Sequence, residues 1–223
     1  MKNSEQKIDE PRVILVNKPL TWTSFDVVKK IKYGLRVKKI GHAGTLDPLA
    51  TGLLILCTGK MTKQIESYQA QEKEYTGTIV LGQTTPSYDL ETEIDQINDI
   101  SHLSAVEVNA ITSKFIGWID QVPPKFSAVK VDGKRAYKSA RKGEDVVIKS
   151  RKVEIKEFEL TRIEFPEVDF KVVCSKGTYI RSLAHDFGQE LGVGAHLSAL
   201  CRTRIGEFKL ENAQTIEQII TKA

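Results

Sequence analysis

The order of the short apolar runs constrains this chain most. RVILVN (12–17), LLILC (53–57), EYTGTIVLG (74–82) and VDFKVVC (168–174) are short and are closed by turn residues. Asn17-Lys18-Pro19 ends the first and Thr58-Gly59 the second, so both read as strands. In the last run Val168, Phe170, Val172 and Cys174 share one face. Helical spacing appears in between. Ser24 is positioned to cap a helix through residue 35, with Phe25, Val28, Ile31 and Leu35 on one side. Short helices are expected over 61–70, near 101–116 and over 136–142. A longer one runs from Tyr179 to Leu191, carries Ile180, Leu183, Ala184 and Phe187, and is closed by Gly192. Strands come in groups and do not alternate strictly with helices. That order predicts an α+β fold: a mixed, mainly antiparallel central sheet flanked by helices and loops.

A chain of 223 residues is long enough to bury a core without a metal or disulfide. Its 40% hydrophobic and 28% charged content is ordinary for a globular protein. Cys57, Cys174 and Cys201 form no C-x-x-C pair and are odd in number, which points to reduced, buried thiols. The polar start MKNSEQKIDEPR has no apolar core, so it does not resemble a secretory signal. LLILC is far too short to span a bilayer. The expected location is the cytoplasm.

Charge is unevenly distributed. Residues 27–40 carry six bases and no acid, and residues 125–152 carry ten bases against three acids. Residues 89–107 carry six acids and no Lys or Arg. One such run is normally a solvated face. Two basic runs interleaved with Phe126 and Tyr137 favour a polyanionic partner, because lysine and arginine meet phosphates and aromatic rings stack on bases.

Several chemistries fail on spacing. CTGKMT suggests a phosphate loop, but Leu54 stands where the first glycine is needed and Met61 follows Lys60. His42, His102, His185 and His196 are scattered without metal-ligand spacing, so no metal site is expected. No G-x-S-x-G nucleophile elbow is present. What remains is GHAGTLDPLATG (41–52), where Asp47 sits in a glycine-rich turn just before an apolar strand. Asp-Pro is also an ordinary turn pair. A carboxylate held rigidly there can attack or deprotonate a sugar, or stabilise charge at an anomeric carbon. A second constellation, SKGTYIRSLAHDFG (175–188), puts Tyr179 and Arg181 at a helix start. An arginine there is suited to pair with a catalytic carboxylate and keep it ionised.

Taken in order, the blocks VNKPLTWTSFDVV, GHAGTLDPLATGLLILCTGKMTK, KEYTGTIVLGQTTPSYD, QVPPKFSAVKVDGKRAYKSARKG and CSKGTYIRSLAHDFGQELGVGAHLSALCRTRIGEF resemble the bacterial tRNA pseudouridine-55 synthase family of the TruB type. The resemblance covers residues 12 to 210 and implies a pseudouridine synthase fold. It implies an isomerase that converts one uridine in the T stem-loop of tRNA to pseudouridine, without metal or organic cofactor. Asp47 matches the catalytic aspartate, as nucleophile or as base. His42 matches the residue that braces the space left by flipped nucleotides, and Tyr75 the ring that stacks on the uracil. Tyr179 matches a residue near the reacting base, Arg181 the partner of the aspartate, and Leu200 a residue lining the uracil pocket. Lys18 is a candidate contact to the site or to RNA.

The basic stretch 123–151 resembles an RNA-clasping insertion, with Lys130, Lys134, Arg135, Lys138 and Arg141 as RNA contacts. The domain expectation is a polar tail over 1–11, a catalytic domain over 12–210, and a short C-terminal helix over 211–223. A C-terminal RNA-binding PUA domain, usual in the family, is not expected, and the protein is expected to act as a monomer. The alternative is a non-catalytic module that binds and folds tRNA. Such a module would need the basic loop and Tyr75 but neither Asp47 nor Arg181. A third reading keeps the chemistry and changes the target to an mRNA stem-loop or a guide-RNA complex.

Overall fold

The computed structural model describes residues 10–127, 129–131, 133–143 and 147–221. The chain divides into two compact units, Met1–Tyr75 with Cys201–Ala223, and Thr76–Leu200. The N-terminal tail expected over 1–11 lies almost wholly outside the described residues, as do the last two residues of the C-terminal segment.

In the first unit, β1 (Val13–Lys18) leads to α1 (Ser24–Gly34) and the short β2 (Ile40–His42). β3 (Ala50–Thr58) is followed by a 3-10 turn (Gly59–Gln64) and α2 (Ile65–Ala70). β1 pairs antiparallel with β3, from Val13 opposite Cys57 to Lys18 opposite Gly52. β3 is buried on both faces. Leu54 and Leu56 face α1, where they meet Val27, Val28, Ile31 and Leu35. Leu53, Ile55 and Cys57 form the opposite cluster with Ala43 and Ile205. A strand covered on both sides must be apolar at every position, which is why LLILC stands out as an uninterrupted run.

The α1 cap differs from expectation. Thr23 caps the helix: its hydroxyl accepts from the Asp26 N–H, and the Asp26 carboxylate accepts from the Thr23 N–H. Ser24 is not free for that role, because its hydroxyl is bonded to both backbone groups of Leu46. Phe25 is exposed, and Val27 takes the buried place. The buried stripe through Val27, Val28, Ile31 and Leu35 leaves Phe25 about 105° from its centre.

β4 (Lys73–Leu81) carries the chain into the second unit. β5 (Gln83–Thr84) and β6 (Gln96–Ile97) form a small ladder within the acidic segment. α3 (Ala105–Ile111) precedes β7 (Gly117–Gln121). The basic insertion is more ordered than a loop. β8 (Lys130–Val131) and β9 (Lys134–Arg135) pair as a hairpin, followed by α4 (Ala136–Ala140). The Asp132-Gly133 pair is the hairpin signal in that stretch. β10 (Arg151–Glu164) and β11 (Glu167–Cys174) form a long antiparallel hairpin, and β10 also pairs with β7. α5 (Ile180–Glu190) packs Phe187 against Phe115 and Phe158, with ring centroids 6.0 and 5.5 Å away.

β12 (Ala195–Ile205) then returns the chain to the first unit, which ends with β13 (Phe208–Lys209) and α6 (Ile216–Thr221). β4 and β12 therefore belong to both units. The strand order is β1-β3-β12-β4 in the first unit and β12-β4-β11-β10-β7 in the second. Apart from isolated bridges, the registered pairs are antiparallel, as the α+β reading requires. The sequence pattern revealed β1, β3, β4 and β11 and none of the other strands, β7, β10 and β12 of the main order included. Among the described residues no helix is long and apolar enough to cross a membrane.

Candidate active site

In the first unit the turn between β2 and β3 carries Asp47, which is half-buried. The Ala50 N–H donates to the Asp47 carbonyl at 3.1 Å, closing a tight turn with Pro48 in it. The backbone leading into and out of that turn is tied down group by group. Ser24 holds Leu46 with bonds of 2.8 and 3.1 Å, and the Thr21 N–H donates to the Pro48 carbonyl at 2.8 Å.

Two buried cations complete the scaffold. Arg202 donates to the carbonyls of Leu53 (2.8 Å), Gly44 (3.2 Å) and Thr45 (3.4 Å). Lys18, fully buried, donates from Nζ to the carbonyls of Trp22 (2.6 Å), Pro19 (2.9 Å) and Pro48 (3.4 Å). Burial pushes the Lys18 ammonium down to about 8, partly opposed by the Asp47 carboxylate and reinforced by Arg202. Lys18 is thus enclosed under the turn. Gly52, just past the turn, has φ +103°, and a Cβ there would lie 2.4 Å from the Arg202 carbonyl oxygen. No other residue fits that approach.

His42, on β2, is half-buried, and desolvation pushes its imidazole below its usual range, so it is neutral at pH 7. Tyr75 is buried on β4 at the end of the first unit. The first unit therefore holds four of the expected residues, Asp47, His42, Tyr75 and Lys18, and of these Lys18 and Asp47 are close enough for their charges to interact.

The second unit holds Tyr179, Arg181 and Leu200. Arg181 lies in the first turn of α5 and is almost fully buried. It donates to the carbonyls of Phe126 (3.0 Å) and Ser87 (3.2 Å), and its Nε lies 3.6 Å from the buried Asp89 carboxylate. Tyr179 is the residue preceding α5. The buried Gln121 side chain clamps its backbone, accepting from the Tyr179 N–H (2.8 Å) and donating to its carbonyl (3.0 Å). The Arg151 guanidinium sits over the Tyr179 ring at 4.5 Å. Leu200 is half-buried on β12.

Comparison with known proteins decides what these groups belong to. Residues 32–180 match the model for the TruB family pseudouridylate synthase N-terminal domain, and residues 181–223 match that for the tRNA pseudouridylate synthase B C-terminal domain. A protein of Flavobacterium johnsoniae named tRNA pseudouridine synthase B is 58% identical over 211 residues, 92% of each chain. One of Phocaeicola vulgatus with the same name is 54% identical, over 93% of this chain and 91% of that one.

The chain belongs to the TruB family of pseudouridylate synthases.

It is therefore an isomerase, and its fold is the pseudouridine synthase fold. Among solved structures, a Cbf5-Nop10-Gar1 complex matches with a TM-score of 0.75 and 31% identity, over 96% of this chain and 55% of that one. An H/ACA RNP bound to a substrate RNA containing 2'-deoxyuridine matches with a TM-score of 0.71 and 28% identity, over 99% and 60%. This TruB-family chain thus spans little more than half of those matched chains.

Sequence reasoning missed three residues of this enzyme. Asp89 was hidden in the acidic run read as a loop, Arg202 in RTRIG near the C-terminus, and Gln121 at the edge of the basic insertion. No local pattern marks any of them, because each acts on a partner far along the chain. In the insertion, Arg141 is exposed, pairs with Glu91 at 2.7 Å and lies over the Tyr137 ring at 5.6 Å. The side chains of Lys130, Lys134, Arg135 and Lys138 lie outside what the structure describes, although their backbone is in the hairpin and α4. Among the described residues no three His, Cys, Asp or Glu side chains cluster to hold a metal.

Proposed function

We propose that this isomerase converts uridine-55 in the T stem-loop of tRNA to pseudouridine, with Asp47 as its catalytic carboxylate. Support for a tRNA substrate comes from the names of relatives that are 54–58% identical over nearly the whole chain. Support for Asp47 comes from one observation above all: the backbone around its turn is immobilised by Ser24, Lys18 and Arg202. Such a network fixes a carboxylate in one place, and preorganised charge is what a reaction at an anomeric carbon needs.

The isomerisation breaks the N1–C1′ bond of uridine, turns the uracil and forms a C5–C1′ bond. The C5 proton is lost and N1 gains one, so atoms balance without a cofactor. A carboxylate at Asp47 serves either by attacking C1′ or by taking a sugar proton, and in both cases it must be ionised. Arg181 is the proposed partner that keeps it so. Tyr179 is proposed to stand near the base and help move the C5 proton. The uridine must leave its stack to react. Tyr75 is proposed to stack on the extruded uracil, where each base stacked typically gains roughly 1–3 kcal/mol. Leu200 is proposed to line the same pocket, and His42, neutral at pH 7, to brace the vacated stack. Lys18 acts on the turn, consistent with its burial. Lys130, Lys134, Arg135, Lys138 and Arg141 are proposed to clasp the RNA backbone. Replacing Lys134, Arg135 and Lys138 with glutamate should weaken tRNA binding and flatten its salt dependence; unchanged binding across a salt titration counts against the clasp.

The test is Asp47→Asn on a tRNA transcript, read by mapping pseudouridine at position 55. Loss of product with tRNA binding retained is expected. Product formed at the wild-type rate sinks the role of Asp47, and product at another position sinks the target assignment.

A further inference from the structure

The basic run 27–40 has no part in the site above, yet α1 presents it in a specific way. Phe25 and Tyr33 are 68% and 71% exposed on an 11-residue helix that already buries Val27, Val28 and Ile31. Exposed aromatic rings on a helix with a complete apolar face are not needed for the core. At 3.6 residues per turn, Phe25, Lys29, Lys32 and Tyr33 fall within an arc of about 100°, on the side away from the buried stripe. All four are exposed. Among the described residues Lys29, Lys30 and Lys32 are engaged in no ion pair. The one acid on the helix, Asp26, is bound to its own cap at Thr23.

The position of α1 matters as much as its composition. Its first residue, Ser24, holds Leu46, the neighbour of Asp47, and Thr21 and Lys18 hold Pro48 on the other side. α1 therefore starts at the catalytic turn and runs about 16 Å from it. An RNA with its reacting nucleotide at Asp47 has neighbouring nucleotides within that reach.

We propose that the outer face of α1, formed by Phe25, Lys29, Lys32 and Tyr33, is a second RNA-binding surface. It takes a segment of the substrate RNA with unpaired bases, a few nucleotides from the one that reacts. The lysines meet its phosphates and the rings stack on its bases. This rests on the reading that the substrate is RNA. Charge complementarity selects the occupant: six bases without an acid in residues 27–40 fit a polyanion, and two exposed rings among them fit one that carries bases.

The experiment measures tRNA binding across a salt series, and steady-state kinetics, for wild type, K29Q/K32Q and F25A/Y33A. K29Q/K32Q should weaken binding about tenfold and make the slope of log affinity against log salt shallower by about 1.4–1.8, the loss of two phosphate contacts. F25A/Y33A should weaken binding by a similar factor with the slope unchanged, because stacking releases no counterions. Both should raise KM and leave kcat within about twofold. Thermal unfolding confirms that these exposed replacements leave the fold intact, and the single variants K29Q and F25A give the same directions at smaller amplitude. Wild-type binding by either double variant overturns the surface. So does tighter wild-type binding to anionic lipid vesicles or an acidic peptide than to tRNA. Weakened binding by both double variants, together with a wild type that binds tRNA but makes no pseudouridine, overturns the proposed reaction and leaves the surface standing.

Discussion

Arg202 and Arg181 are both almost fully buried, one in each unit, and they are satisfied differently. Every hydrogen bond shown for Arg202 goes to a main-chain carbonyl, at Gly44, Thr45 and Leu53. Its charge is spent on the shape of the turn. Arg181 also reaches two carbonyls, but it shares its charge with the carboxylate of Asp89 at 3.6 Å. A buried guanidinium satisfied by backbone alone is a scaffold; one balanced against a nearby acid has its field adjusted by that acid. The two arginines should therefore fail in different ways when replaced.

The largest effect is expected for Arg181→Lys. Lysine keeps the charge but loses the planar fork, so pseudouridine formation should fall by about 100-fold or more while tRNA affinity is kept. Single-turnover rates and filter binding measure this. Arg202→Lys should act on stability, lowering the unfolding free energy by about 2–3 kcal/mol, because carbonyls at Gly44, Thr45 and Leu53 lose donors. Urea denaturation reads it. If Arg202→Lys proves stable while Arg181→Lys unfolds the protein, the contrast is broken. Asp89→Asn sharpens the comparison: the rate should drop about tenfold and the melting temperature should fall with it, because the buried Arg181 guanidinium loses its counter-charge.

A pH dependence is expected from Lys18. Its ammonium is pushed down to about 8 in the folded chain, against 10.5 in the unfolded one. Between those values the unfolded chain binds more protons, so wild-type stability relative to Lys18→Met should rise as pH climbs from about 8 to 10.5. A flat difference over that range would show that Lys18 is not desolvated as its burial indicates.

Much of the first unit was legible in sequence, because a strand covered on both faces must be apolar throughout. LLILC gave β3 its place, and GHAGTLDPLATG gave the turn. β10 was illegible for a definite reason. Val153 and Ile155 are buried at odd positions, but register shifts after Ile155 and Leu160 move burial to Phe158 and break the alternation. β12 was masked by Arg202 and Arg204 within it, the first of them buried as a scaffold. The α1 cap was misassigned by one residue because two adjacent hydroxyls, Thr23 and Ser24, both suit the role. Only the Ser24 bond to Leu46 distinguishes them. Asp47, Tyr179 and Arg181 stand in motifs that single them out; Asp89, Gln121 and Arg202 act through partners 58 to 158 residues away, as in Gln121–Tyr179 and Arg202–Gly44, and carry no local signature.

Gly52 has a genetic consequence. Every one-step missense change of a glycine codon adds a Cβ, and here that atom would meet the Arg202 carbonyl oxygen at 2.4 Å and the Cys201 sulfur at 2.9 Å. The obstacle is mostly backbone, so no side-chain adjustment relieves it. Gly192 also has a positive φ, +73°, but open space surrounds its missing Cβ. In a library of one-step coding variants, position 192 should retain aspartate, while position 52 should come back as glycine alone.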